Sequence, residues 1–222
     1  MRMGRWIIST LVVVSLAIPG WAQFGPRTPQ MSGIWHPVVG AGAAYQVTDH
    51  DGSKKEMEIA VVGQEKVDGQ DAYWIEMSFQ DPHGGPGAMK TLTVMGGPNP
   101  GAKKVIMQMN GQAFEMPINN PRMSGQAKSA GTDLSKGGGQ VVGTETITTP
   151  AGTFECEHYR ANDPPSDVWI SAKVSPWGMV KSQSKDSNML LIRVITEAKT
   201  KITGPVQQFD PMKMMQQGQQ RP

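Results

Sequence analysis

Four histidines, one cysteine and a few paired carboxylates are the residues of this 222-residue chain with obvious catalytic or metal-binding chemistry. His36, His50, His83 and His158 show no His-x-x-x-His or comparable ligand spacing, and His50 and His83 sit in turn-like sequence. Cys156 and His158 are two apart in a strand-like stretch, which puts both on one face. Together they could give a soft metal two ligands, but the sequence offers no evident third. One cysteine makes neither an internal disulfide nor a multi-cysteine zinc site, so Cys156 is expected to be free and buried. Glu155 and Glu157, like Glu56 and Glu58, are spaced to share a strand face, where two acids could act as acid and base or simply keep that face wet. No Gly-x-Ser-x-Gly, phosphate-cradling loop or dinucleotide fingerprint occurs. Gly137-Gly138-Gly139 lacks a following Lys-Ser/Thr and reads as a joint. The expectation is a protein that is not an enzyme and has no cofactor and no resident metal. A metal-binding protein, or a hydrolase built on Glu155/Glu157 or His158, is the weaker alternative.

Methionine is the unusual component, with 16 in the chain. Thioether side chains are flexible and polarizable, suited to a wall that accommodates apolar ligands of varied shape, and equally to ordinary packing. Met57, Met77, Met107, Met109 and Met116 fall on predicted apolar faces. Met212, Met214 and Met215 near the C-terminus could offer sulfur to copper(I), with no histidine beside them.

The elements that must position these residues are strands. Asn110-Gly111 is a favoured two-residue hairpin turn. Folding there opposes Met109 to Gln112, Met107 to Phe114 and Val105 to Met116, which collects an almost wholly apolar face. The other face, with Lys104, Ile106, Gln108, Ala113 and Glu115, is mixed. A second hairpin at Asp68-Gly69 opposes Val67 to Gln70 and Lys66 to Asp71. Extended, it sets Val62 against Ile75 and Ala60 against Met77, with Tyr73 and Phe79 on the same side and Glu58, Glu65, Trp74 and Glu76 on the wet one. Residues 82–89 and 96–102 read as loops. Gln140–Thr149, Phe154–Ala161, Asp167–Val174, Trp177–Ser184 and Asn188–Ala198 read as further strands joined by Pro-, Gly- and Asn-rich turns. Pro121 to Lys136 reads as a short helix or loop. The fold class expected is mainly β: an antiparallel meander forming a curved sheet, half-barrel or barrel, with little helix.

At the N-terminus Arg2 and Arg5 precede an apolar run from Ile7 to Ile18, then Pro19-Gly20 and small residues at Gly20 and Ala22. This is the layout of a secretory signal peptide with cleavage near Ala22. The run is too short for a bilayer core of about 30 Å, so no stable span is expected after cleavage. Residues 23–42 form a Pro/Gly-rich leading segment, 43–199 a single β domain, and 200–222 a disordered Met/Gln-rich tail. Losing residues 1–22 removes two arginines and no acid from the 21 basic and 19 acidic residues, leaving the mature chain neutral. With no basic cluster, nucleic acid is not an expected partner. The expected location is exported, either periplasmic or extracellular.

Three segments resemble a known pattern. They are Thr149-Pro150-Ala151-Gly152-Thr153-Phe154, then Asp167-Val168-Trp169-Ile170-Ser171, then Pro176-Trp177-Gly178-Met179-Val180-Lys181. With Val61–Gly69 and Tyr73–Glu76 they resemble uncharacterised bacterial exported domains similar to the periplasmic lipoprotein-carrier (LolA/LolB-like) superfamily. The resemblance implies an antiparallel half-barrel cradling an acyl chain or hydrophobic polypeptide, usually under helical cover, and implies no catalytic residue. The chain departs from it in lacking a lipid-attachment cysteine and in its faint helix signals. Trp169 and Trp177 on neighbouring strands would mark one end of the barrel or its mouth.

From these faces the expected ligand-binding residues are Tyr73, Ile75, Met77, Val105, Met107, Met109, Phe114 and Met116. The function expected is an exported, soluble β-domain binding a hydrophobic or amphipathic ligand (lipid or lipoprotein-like) without catalysis. Its partner would be a hydrophobic small molecule, a lipid or an envelope protein. The alternative is a structural or assembly module of the cell envelope whose apolar faces are sealed core.

Overall fold

A computed structural model describes residues 31–80, 85–109, 111–118 and 132–209. The expected signal segment, His83, Asn110, most of Pro121–Lys136 and Met212, Met214 and Met215 lie outside the described residues. Fourteen strands are described: β1 (Ser32–Gly33), β2 (Gly42–Asp49), β3 (Lys54–Val67), β4 (Gln70–Gln80), β5 (Pro86–Val94), β6 (Gly101–Met109), β7 (Gln112–Met116), β8 (Thr132–Asp133), β9 (Gly139–Thr149), β10 (Gly152–Asn162), β11 (Pro165–Ile170), β12 (Met179–Ser184), β13 (Ser187–Ile195) and β14 (Val206–Gln208). One 3-10 turn, Leu134–Lys136, separates β8 from β9. Among the described residues no helix is long and apolar enough to cross a membrane.

Turn chemistry sets the meander. Asp68 and Gly69 both take positive φ, +50° and +79°, as a two-residue hairpin with right-handed strand twist requires. The pairs Val67–Gln70 and Lys66–Asp71 follow, and a 2.9 Å ion pair joins Lys66 to Asp71. At the other hairpin Gly111 has φ +75°, and Met109–Gln112, Met107–Phe114 and Val105–Met116 pair as the turn dictates. Strands β2 to β7 thus run as one antiparallel meander and β9 to β13 as a second. Antiparallel pairing of β13 with β2 fuses the two into a 12-stranded sheet ending at β14 and β9. The fold is mainly β, and the sheet stays open rather than closing into a barrel. β1 and β8 form a separate two-stranded parallel pair.

The sheet curves so that its two meanders and the leading segment share one core. Tyr45, Ile59, Val168, Trp177, Met179 and Leu191 are fully buried in one cluster. Tyr45 donates from its hydroxyl to the carbonyl of Met179 at 2.9 Å. β4 and β12 lie four strand spacings apart, roughly 19 Å on a flat sheet. Yet Trp35 touches both Tyr73 of β4, with ring centroids 5.9 Å apart, and Trp177 just before β12, at 4.9 Å. Only a curved sheet brings those two rings to one side chain.

Five local expectations change. Val62 is an extra residue in β3, so Val61 rather than Val62 opposes Ile75, and Ile59 rather than Ala60 opposes Met77. The bulge turns Met57, Ile59 and Val61 into the core while Glu58 and Ala60 take the other face. Residues 86–89, expected as loop, open β5, and Gly101 already belongs to β6. β11 stops at Ile170 and Trp177 lies in the turn before β12, so Trp169 and Trp177 are not on neighbouring strands. Finally, the chain does not leave the sheet at residue 200. Ile202 is buried against Ala88, Ile106 and Ala113, and β14 pairs in parallel with β7. Glu76, expected on the wet face, is buried beneath this strap, accepting hydrogen bonds from the Thr200 hydroxyl (2.5 Å) and the Lys201 amide (2.7 Å).

Candidate functional site

Strand register brings six of the eight expected residues into two adjacent rows on one face of β4–β7, with Tyr73 beyond them on the same face of β4 and the eighth, Met109, placed by its backbone alone. In the first row Met77, Met89, Met107 and Phe114 stand directly opposite one another across β4, β5, β6 and β7. In the second, Ile75, Thr91, Val105 and Met116 do the same. Tyr73 continues the face along β4, opposite Thr93. Met109 pairs with Gln112 next to the turn. Val105 and Thr93 are buried, whereas Tyr73, Ile75, Met77, Met89, Met107, Phe114 and Met116 are only partly so. Ile75 and Met77 lean on the main core, and Phe114 meets Phe209 edge-on at 6.5 Å beside β14.

Met89, Thr91, Trp35 and Phe209 belong to this region and were not among the expected residues. Met89 was hidden by the Pro- and Gly-rich sequence before it. The alternation Met89, Thr91, Thr93 against Lys90, Leu92, Val94 is the signal that places it on the methionine face.

Beyond the rows, an open recess of about 350 Å³ is lined by Trp35, Tyr73, Val94, Met95 and the backbone at Gly96-Gly97, with Gln70 and Asp71 at the rim. That volume is at the small end of ligand sites. The buried Thr93 hydroxyl, on Tyr73's cross-strand neighbour, has no hydrogen-bond partner among the described residues.

The polar residues with chemical potential form ion-paired structure instead. His158 is 9% exposed and sits between two carboxylates: Nδ1 lies 2.8 Å from Glu145 Oε1 and Nε2 lies 2.8 Å from Asp167 Oδ1. Its ring stacks on Trp169 with centroids 4.4 Å apart, and Lys181 Nζ lies over that indole at 4.2 Å. Both ring nitrogens are engaged by carboxylates. Cys156 is buried on the same strand; burial, with the nearby Glu145 charge, pushes its thiol up to about 11, away from thiolate chemistry. Glu157 accepts from the Tyr159 hydroxyl at 2.9 Å, and Glu56 and Glu58 both pair with Arg193. His36 directs Nδ1 to the Ile34 carbonyl at 3.2 Å, away from any of these groups. Among the described residues no three His, Cys, Asp or Glu side chains gather as metal ligands.

No protein-family model and no curated protein sequence matches the chain. Solved structures similar to it in general fold include an exported-type protein with a YmcC-like fold from Bacteroides fragilis (15% identity, 73% of this chain and 99% of that one, TM-score 0.37). A lipoprotein-type structure from Parabacteroides distasonis is similar at 17% identity, over 74% of this chain and all of that one, with a TM-score of 0.38. MucB is similar at 10% identity, over 74% of this chain and 57% of MucB, with a TM-score of 0.37.

Proposed function

We propose that the chain is an exported, non-catalytic β-domain that holds a hydrophobic or amphipathic ligand against the β4–β7 face. The observation that carries this reading is the pair of cross-strand rows, apolar but for Thr91, whose side chains other than the buried Val105 are half-buried rather than sealed. An apolar face of this kind gains roughly 25 cal/mol for each Å² covered, so an acyl chain or an apolar protein segment is a fitting occupant. Methionine suits it because an unbranched side chain adjusts to ligand shape. The N-terminal layout of charge, apolar run and small residues supports export.

The test uses N-phenyl-1-naphthylamine, whose fluorescence rises on entering an apolar site. The protein purified from an exporting host should bind it, and Met107→Gln with Phe114→Gln should weaken binding at least tenfold. Native mass spectrometry before and after delipidation would reveal a co-purified acyl species. Unchanged dye binding in the double variant overturns the face assignment. No dye binding in the parent favours an envelope-assembly module with a closed core.

A further inference from the structure

The first row contains more sulfur than an apolar wall needs. Met77, Met89 and Met107 are consecutive members of it, contributed by three adjacent strands, and all three are partly exposed. Directly opposed residues in antiparallel strands hold their Cβ atoms about 4.5–5.5 Å apart. Methionine is unbranched, and rotation about its Cα–Cβ and Cβ–Cγ bonds moves the sulfur, so the outer sulfurs can swing toward that of Met89 above the middle strand. Thioether sulfur is neutral and soft and favours copper(I) over hard divalent ions. The positions around the trio, Ile75, Thr91, Val105 and Phe114, supply no imidazole or carboxylate. That leaves zinc and copper(II) without the ligands they prefer, while a monovalent soft cation needs no compensating charge beyond its counter-ion.

We propose that Met77, Met89 and Met107 form a three-thioether site for a monovalent soft cation, copper(I) by chemistry, with the Phe114 ring at its side. The site is set by strand register, so it is present whenever the β4–β6 ladder is formed. It does not rest on the hydrophobic-ligand reading, because leucine at the three positions keeps the apolar wall and removes only the sulfur.

The experiment is anaerobic titration of the whole protein with copper(I) against bicinchoninate. The parent should withdraw one copper(I) per chain. Met77→Leu/Met89→Leu/Met107→Leu should lose at least tenfold in affinity, whereas a variant with leucine at Met212, Met214 and Met215 should match the parent. Absence of binding in the parent, parental affinity in the sheet variant, or a loss confined to the tail variant would each overturn the proposal. Silver(I) added to the parent while methionine methyl resonances are followed gives a readout independent of variant folding. Movement of the three sheet methyls supports the site, and movement of other methyls alone opposes it. Dye binding by the parent without copper(I) binding, or copper(I) binding without dye binding, shows the failure of one idea separately from the failure of the other.

Discussion

Removing the His158 ring leaves Glu145 and Asp167 without their shared partner and takes a stacked surface from Trp169. An unpaired group in a buried site costs about 1–3 kcal/mol, and the carboxylates here are 48% and 38% exposed, which places His158→Ala near the lower end. Urea denaturation should show a lowered midpoint with an unchanged slope; an unchanged midpoint would mean that the clamp carries no stability. Two residues earlier, the Cys156 thiol value of about 11 against an ordinary 9.0 lowers the thiolate fraction at pH 8 about 100-fold. Iodoacetamide should therefore label native protein at least that much more slowly than urea-unfolded protein, and comparable rates would contradict the burial. The burial of Cys156 was legible in the sequence, because apolar alternation in β10 points it inward. The partners of His158 were not. They come from β9 and β11, and a bulge in the β9–β10 ladder sits beside His158, so no local pattern announces them.

At the scale of elements, the strap from Thr200 to Phe209 is the part that composition disguised. Its Gly-Pro and Gln-Gln sequence looks unstructured, and its order comes from surfaces far away in the chain: Glu76, Gln108 and the Ala88–Ile106–Ala113 cluster. Hairpins were legible because their turn residues fix the register within a few positions. The Val62 bulge was not, since Val61 and Val62 are equally apolar and only the demand for Ile59 and Met57 in the core chooses between them. Ile202→Asp should put an unpaired charge into the apolar seat and release the strap. Amide exchange in residues 201–209 should then rise at least tenfold while β2 and β13 keep their protection; unchanged exchange would show that Ile202 is no anchor. Acid should loosen the same segment. Partial burial pulls the Glu58 carboxyl upward, but its pairs with Lys201 and Arg193 outweigh that and hold it below the usual value of 4.5. A depressed carboxyl stabilises fully above its unfolded value and loses that contribution as pH falls through the lowered one. Strap exchange, corrected for intrinsic rates, should therefore rise below about pH 4.5 in the parent and show less pH dependence in Glu58→Gln.

For the whole molecule, the decisive contact is the β2–β13 ladder, which joins two meanders that local sequence reading reconstructs separately. Nothing in either strand names the other, because paired residues such as Tyr45 and Leu191 are far apart in sequence and share only apolar character. Once joined, they share one core: Tyr45 reaches across to Met179, and Trp35 packs between Tyr73 and Trp177. The leading segment fits closely there, since a Cβ on Gly33 would lie 2.0 Å from the Trp177 carbonyl oxygen. Two meanders bound this way should unfold as one cooperative unit. Replacing a core tryptophan by alanine costs about 3–5 kcal/mol, and the half-buried position of Trp35 puts Trp35→Ala at the lower bound. If Trp35 staples the whole sheet, global amide protection in β6 and in β11 should fall by the same amount, with one transition by far-ultraviolet circular dichroism. Loss of protection in β11 alone, with β6 untouched, would instead make Trp35 a local plug. The curvature that places the methionine face would then have to come from the strands themselves, through the bulge at Val62 and the right-handed twist that antiparallel strands carry without any staple.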